Sequence, residues 1–145
     1  VDIMPQYSSS LGMNTRWFPE ALRLAEFKDL SDGCSARCVS PPIFIATKFE
    51  AYKDRGKDDI YMSHDLEDIV TLIDGRASIT DDINNLTVAA PAARSFIMGE
   101  CAKLAANPYF SEALREHLPR LQGARERAAI VLERFKNISR LPTNT

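Results

Sequence analysis

The sequence predicts an α+β protein that is mostly α, with a short β element of two or three strands followed by a helical bundle. Three observations lead there. Residues 1–4 and 34–40 read as short strands, each stopped by proline, which has no N–H to donate to a sheet. From residue 43 onward, apolar residues recur at helical spacing. Charged side chains recur at that same spacing on two consecutive predicted helices within residues 47–76.

A length of 145 residues fits one domain around one core. We divide it into a β-containing front (1–42), a two-helix pair that forms the wall of a candidate site (43–76) and C-terminal helices (77–145). The composition, 45% hydrophobic and 26% charged, is that of a soluble globular chain. A formal charge of −2 lacks the basic surplus of a dedicated nucleic-acid binder. No apolar run approaches the ~20 residues that span a bilayer, and no secretion signal is visible, so the expected compartment is the cytoplasm. The three cysteines do not form a disulfide framework. Cys34 and Cys38, on one strand, would lie roughly 13 Å apart, beyond disulfide reach. Neither His64 nor His117 completes a zinc spacing, and buried thiols are the expectation.

Residues 6–14 (QYSSSLGMN) read as a loop. Residues 17–30 carry Trp17, Leu22, Ala25 and Phe27 and predict a short helix, with Ala21, Leu22 and Ala25 on one side. Ser31-Asp32-Gly33 is a turn. Residues 43–55 predict a helix that starts at Pro41-Pro42 and ends at Gly56, burying Ile45, Phe49 and Tyr52. After a polar connection, Ser63 is placed to cap a helix whose apolar face is Leu66, Ile69, Val70 and Ile73. Gly75 is placed for a left-handed C′ position. Thr80 is expected to cap residues 81–86. Helices over 90–106, 109–118 and 125–141 follow, the last burying Ile130, Val131, Phe135 and Ile138.

The central pair carries the candidate chemistry. At ~100° per residue, Tyr52 and Arg55 lie within about 40° of Lys48. Asp65 and Asp68 share an edge of the next helix with Leu72. A cationic rim and an anionic rim therefore flank apolar faces that pack on one core. Two readings stand. Lys48 and Arg55 pair with Asp65 and Asp68 as interhelical salt bridges, worth well under ~1 kcal/mol each at a surface. Alternatively they receive phosphate oxygens while Asp65 or Asp68 acts as base or metal ligand. His64 is expected to be exposed. Asp2, between apolar neighbours on a strand, either faces solvent or needs a partner or a metal.

The ordered set VDIMP, Leu11-Gly12, Arg16-Trp17, PPIFIATKFEAYKDRG and SHDLEDIVTLIDGR resembles the second half of the nucleotidyltransferase-like family, of the minimal nucleotidyltransferase and AbiEii/AbiGii toxin type. The resemblance covers residues 1–76 and implies Mg²⁺-dependent transfer of a nucleotidyl group from a nucleoside triphosphate. Asp2 matches the isolated third carboxylate and metal ligand. Lys48 matches the middle-motif lysine, a phosphate contact, with Arg55 beside it. Asp65 and Asp68 match the acidic helix motif. The family's Gly-Ser turn and paired Asp-x-Asp lie upstream of the strand that residues 1–4 represent. The resemblance thus implies the C-terminal half of a transferase, weak in Mg²⁺ binding and inactive alone. The alternative is a helical interaction module that self-associates as a homodimer over an exposed sheet edge. A nucleic-acid acceptor remains open, without support from the charge.

Overall fold

The computed structural model describes residues 16–119 and 123–143. Trp17 precedes α1 (Phe18–Arg23), which has proline in its first turn and no fully buried residue of its own. β1 (Glu26–Asp29) pairs antiparallel with β2 (Ser35–Cys38), Phe27 opposite Arg37. The connection, a 3₁₀ turn at Ser31–Gly33, is made by two left-handed residues, Asp32 (φ 69°) and Gly33 (φ 74°). Asp-Gly is the dipeptide that adopts this conformation at least cost, so it closes a hairpin rather than ending a helix. The single helix expected over residues 17–30 is accordingly a short helix followed by a strand. Leu22 is exposed rather than packed. Residues 1–4 lie outside the described part, so the observed sheet is β1–β2 alone.

The helical body begins with α2 (Pro41–Asp54), for which the pre-set φ of proline at the first two positions suits the start. Ile43, Ile45, Ala46 and Phe49 are fully buried. α3 (His64–Gly75) is amphipathic and packs on α2 through Leu66, Ile69, Val70 and Ile73, none of which is exposed. α4 (Ile79–Asn84) and α5 (Leu86–Ala89) are short; Ser78, not Thr80, stands at the start of α4. α6 (Pro91–Ala106) packs against α2 and against α8 (Ala124–Ser139), and α7 (Phe110–His117) closes the bundle against α3 and α8. Aromatic contacts weld these layers: Trp17 and Phe49 both meet Phe96, and Phe110 meets Phe135 edge-on at 5.0 Å.

Among the described residues the chain is mostly helical with one two-stranded sheet, the α+β class expected. No helix among them is long and apolar enough to cross a membrane. Several local expectations are corrected. Gly75 ends α3 without a left-handed conformation; Arg76 follows in an extended one, and Arg134 donates to the carbonyls of Ile73 and Asp74, meeting the helix end from outside. With a side chain supplying those hydrogen bonds, the backbone does not have to curl back. Ile130 is exposed, since α8 turns Ala128, Val131, Phe135 and Ile138 inward. Cys34 is exposed and Cys38 only half-buried on the hairpin; Cys101 is the buried thiol.

Ser63 caps α3 as the sequence implies, its Oγ accepting from the Leu66 N–H at 3.3 Å. Ser63→Ala is expected to lower stability by about 1 kcal/mol in urea denaturation; an unchanged midpoint would contradict this role.

Candidate functional site

The site is built where the chain leaves α2 and doubles back into α3. Arg55 ends α2, and Gly56 passes so close to the preceding turn that an added Cβ would lie 2.5 Å from the Tyr52 carbonyl oxygen and 2.9 Å from Ser63 Oγ. Only glycine fits there. Lys57 and Asp58 then adopt left-handed conformations, φ 49° and 56°. Asp59 holds the turn by accepting from the Tyr61 and Met62 N–H groups at 2.9 and 3.0 Å. His117 Nε2 lies 2.7 Å from the Ile60 carbonyl oxygen and ties the loop to α7. Tyr52 itself points inward. Burial first, then the carboxylates of Asp58, Asp59 and Glu100, push its phenol up to about 12, so it remains a neutral group at ordinary pH.

Asp65 occupies the seam between the two helices and is only 4% exposed. Both its oxygens are engaged. Arg55 donates through Nε to Oδ2 at 2.8 Å and through Nη2 to Oδ1 at 2.7 Å, a two-pronged clasp that matches the planar fork to the carboxylate. Lys48 Nζ adds a third bond to Oδ1 at 3.2 Å and reaches Asp68 Oδ2 at 2.6 Å. The hydrogen bonds from Arg55 hold the Asp65 carboxyl below the usual carboxylate range; desolvation opposes them and Lys48 reinforces them. Burial works against the Lys48 ammonium, but bonds to Asp68 and Asp65 outweigh it and raise its pKa. Arg55 is raised chiefly by the Asp65 hydrogen bond. The structure thus realises the pairing of Lys48 and Arg55 with Asp65 and Asp68, and does so at a buried carboxylate rather than at a solvated rim.

Beside this cluster opens a cleft of about 750 Å³. Lys48, Arg55 and Lys57 line it together with His64 and the first turn of α3. Lys57 has no hydrogen-bond or ion-pair partner among the described residues. His64 is exposed, as expected, with Nδ1 3.1 Å from Glu67 Oε2. Lys57 went unnoticed in the sequence because it sits in a polar connection with no periodicity. The signal available was local, a Gly-Lys-Asp-Asp run between two helix ends, which marks a tight turn but does not say where the lysine points.

Asp2 lies outside the described residues, so its place relative to Lys48 and Asp65 is not part of this geometry. Among the described residues, no three His, Cys, Asp or Glu side chains converge on a point where a metal ion would sit. Asp65 spends both oxygens on cations, and the Asp68 oxygen nearest the cluster faces Lys48. These residues by themselves do not fit Mg²⁺, which needs hard oxygens not already committed to ammonium and guanidinium groups. The chain matches no protein-family model, no curated protein and no solved structure.

Because Asp65 is more acidic folded than unfolded, the clamp's stabilisation is complete above its unfolded value of about 3.9 and is lost as pH falls through the lower folded value. Asp65→Asn is expected to cost about 2 kcal/mol at neutral pH, with the gap to wild type closing in acid. A gap that stays constant down to pH 2 would refute the ion-pair origin.

Proposed function

We propose that this is a nucleotidyltransferase-like protein whose α2–α3 cleft receives the phosphates of a nucleoside triphosphate, and that the cluster described here binds the nucleotide without transferring it. The observation that carries this reading is the buried Asp65. It orients two cations at the lip of the cleft without exhausting them. Lys48 has three N–H donors and spends two; Arg55 has five and spends two on Asp65. The remaining donors and Lys57 offer charge-assisted hydrogen bonds to phosphate oxygens. Asp65 is then a positioning residue, not a base. Two-metal nucleotidyl transfer needs clustered carboxylates with open oxygens, whereas both oxygens of Asp65 are bonded to cations and Asp68 keeps only Oδ1 uncommitted. The toxin-type role rests on the sequence resemblance alone. Titration calorimetry with ATP, GTP, CTP, UTP and inorganic triphosphate at low salt tests the binding. Lys48→Ala or Arg55→Ala is expected to weaken it roughly 10- to 100-fold, and equal affinity in these variants would refute it. With Mg²⁺ and labelled triphosphates, no transfer is expected; robust transfer abolished by Asp65→Asn would make Asp65 catalytic and overturn the assignment.

A second reading, a self-associating module, has its own observation. The β1–β2 hairpin exposes Phe27 (73%) together with Leu30 and Val39, and all four residues of β1 are exposed. Sedimentation is expected to show a dimer that Phe27→Asp dissociates; a clean monomer at high concentration would eliminate this reading.

A further inference from the structure

The β1–β2 hairpin is a sheet of only two strands, and all four residues of β1 are exposed. Such a ribbon is marginal alone and gains from further strands. Its outer edge can be read residue by residue. The Leu30 N–H donates to the Cys34 carbonyl at 2.6 Å, and the register continues through Lys28 opposite Ala36 and Glu26 opposite Cys38. In an antiparallel ladder, bonded and non-bonded pairs alternate. Glu26 and Lys28 therefore turn their backbone groups to β2, while Phe27 and Asp29, and Ala25 before them, turn theirs outward. Among the described residues no backbone group bonds to that outer edge.

An edge of this kind pairs with whatever strand matches it, and proteins commonly blunt it with a charge such as lysine. β1 does carry Lys28, but Glu26 stands two residues away on the same face, its Oε2 2.8 Å from the Lys28 Nζ. The order of these charges matters. When two copies of β1 run antiparallel about a two-fold axis through Phe27, Glu26 falls opposite the second copy's Lys28, and Lys28 opposite its Glu26. On the other face Phe27 meets Phe27, and Asp29 falls beside Ala25. The outward backbone groups at 25, 27 and 29 meet one another in that register, so the hydrogen bonds of the ladder close as well. The neighbouring registers that keep those groups aligned centre on Glu26 or on Lys28. They set Glu26 against Glu26 or Lys28 against Lys28, and like charges directly opposite are destabilising. The free edge of β2 holds no such match, since its only charge is Arg37. That guanidinium is held by the Leu22 carbonyl at 2.7 Å and lies over the Phe27 ring at 5.8 Å.

We propose that the partner of β1 is a second copy of this chain. Two hairpins join edge to edge about a two-fold axis at Phe27 into one four-stranded antiparallel sheet, and Glu26 and Lys28 select the partner and fix the register. The interface is isologous, the same strand on both subunits. One face carries the row Arg37, Phe27, Phe27, Arg37, with the cations at its ends and the aromatic rings between them. The assignment rests on the self-association reading, to which it adds the edge, the register and the charge pairing.

Exchanging the charges tests it. Sedimentation velocity of the full chain over a concentration series, at low ionic strength where charge pairs are least screened, is expected to show a dimer for the wild type. Glu26→Lys and Lys28→Glu each set like charges opposite one another twice, and each is expected to weaken that dimer roughly tenfold. Mixed in equal amounts, the two variants are expected to pair with each other at close to wild-type affinity, because each carries the charge that the other lacks. In an equal mixture of isotope-labelled and unlabelled wild-type chains, NMR is expected to show an intermolecular contact between the α-protons of Glu26 and Lys28, since the Cα atoms of a non-hydrogen-bonded pair lie about 4.5 Å apart. A wild-type dimer that both variants preserve, variants that dissociate yet do not pair on mixing, or intermolecular contacts elsewhere would overturn the β1 register and leave self-association through another surface. A wild-type chain that stays monomeric, the result expected if residues 1–4 of the same chain take the β1 edge, would overturn both.

Discussion

A carboxylate held out of water between two helices is the constraint on which the front of this molecule depends. Asp65 sits in the first turn of α3, a favourable place for negative charge because of the helix dipole. Burial would still make an isolated carboxylate there untenable. The clasp by Arg55 and the bond from Lys48 make it tenable, and both cations come from α2. The ion pair therefore sets how the start of α3 sits against the end of α2. It also dictates the tight return between them, in which Gly56 fits only for want of a side chain and Lys57 is swung to the cleft.

The same logic recurs at the other end of α3. Arg134 donates to its last carbonyls and Arg127 pairs with Asp74, so α8 fixes the end of the helix whose start Arg55 and Lys48 fix. Buried charges elsewhere are also answered: Glu100 by Lys53 and Lys103, and Arg94 by Asn84 and the Pro142 carbonyl. Among the described residues three buried side-chain polar atoms have no hydrogen-bond partner, Trp17 Nε1, Ser40 Oγ and Arg94 Nε, although Arg94 is held through Nη2.

Much of the helical body was legible in the sequence because its apolar residues recur with one period over several turns. Ile45, Phe49, Leu66, Ile69 and Phe135 are buried where that periodicity puts them. The hairpin was not legible as such. Its strands are four residues long, β1 has no buried side to impose alternation, and only Asp32-Gly33 signals it. The ion pairs among Lys48, Arg55, Asp65 and Asp68 were readable from helical phase. That Asp65 is buried was not, since phase places a residue at the edge of a face without saying how closely the neighbouring helix approaches. Lys57 was hidden for a related reason: its place in the cleft comes from a turn, which has no sequence period.

The central claim, that a buried carboxylate holds Lys48 and Arg55 ready for phosphate, is tested most directly by following the side-chain nitrogen signals of those two residues by NMR during addition of inorganic triphosphate. The account predicts that Arg55 Nε and Lys48 Nζ shift together along one saturating curve while remaining protected from exchange by Asp65. Signals that stay unmoved at saturating triphosphate, or that shift only as their bonds to Asp65 break, would contradict it.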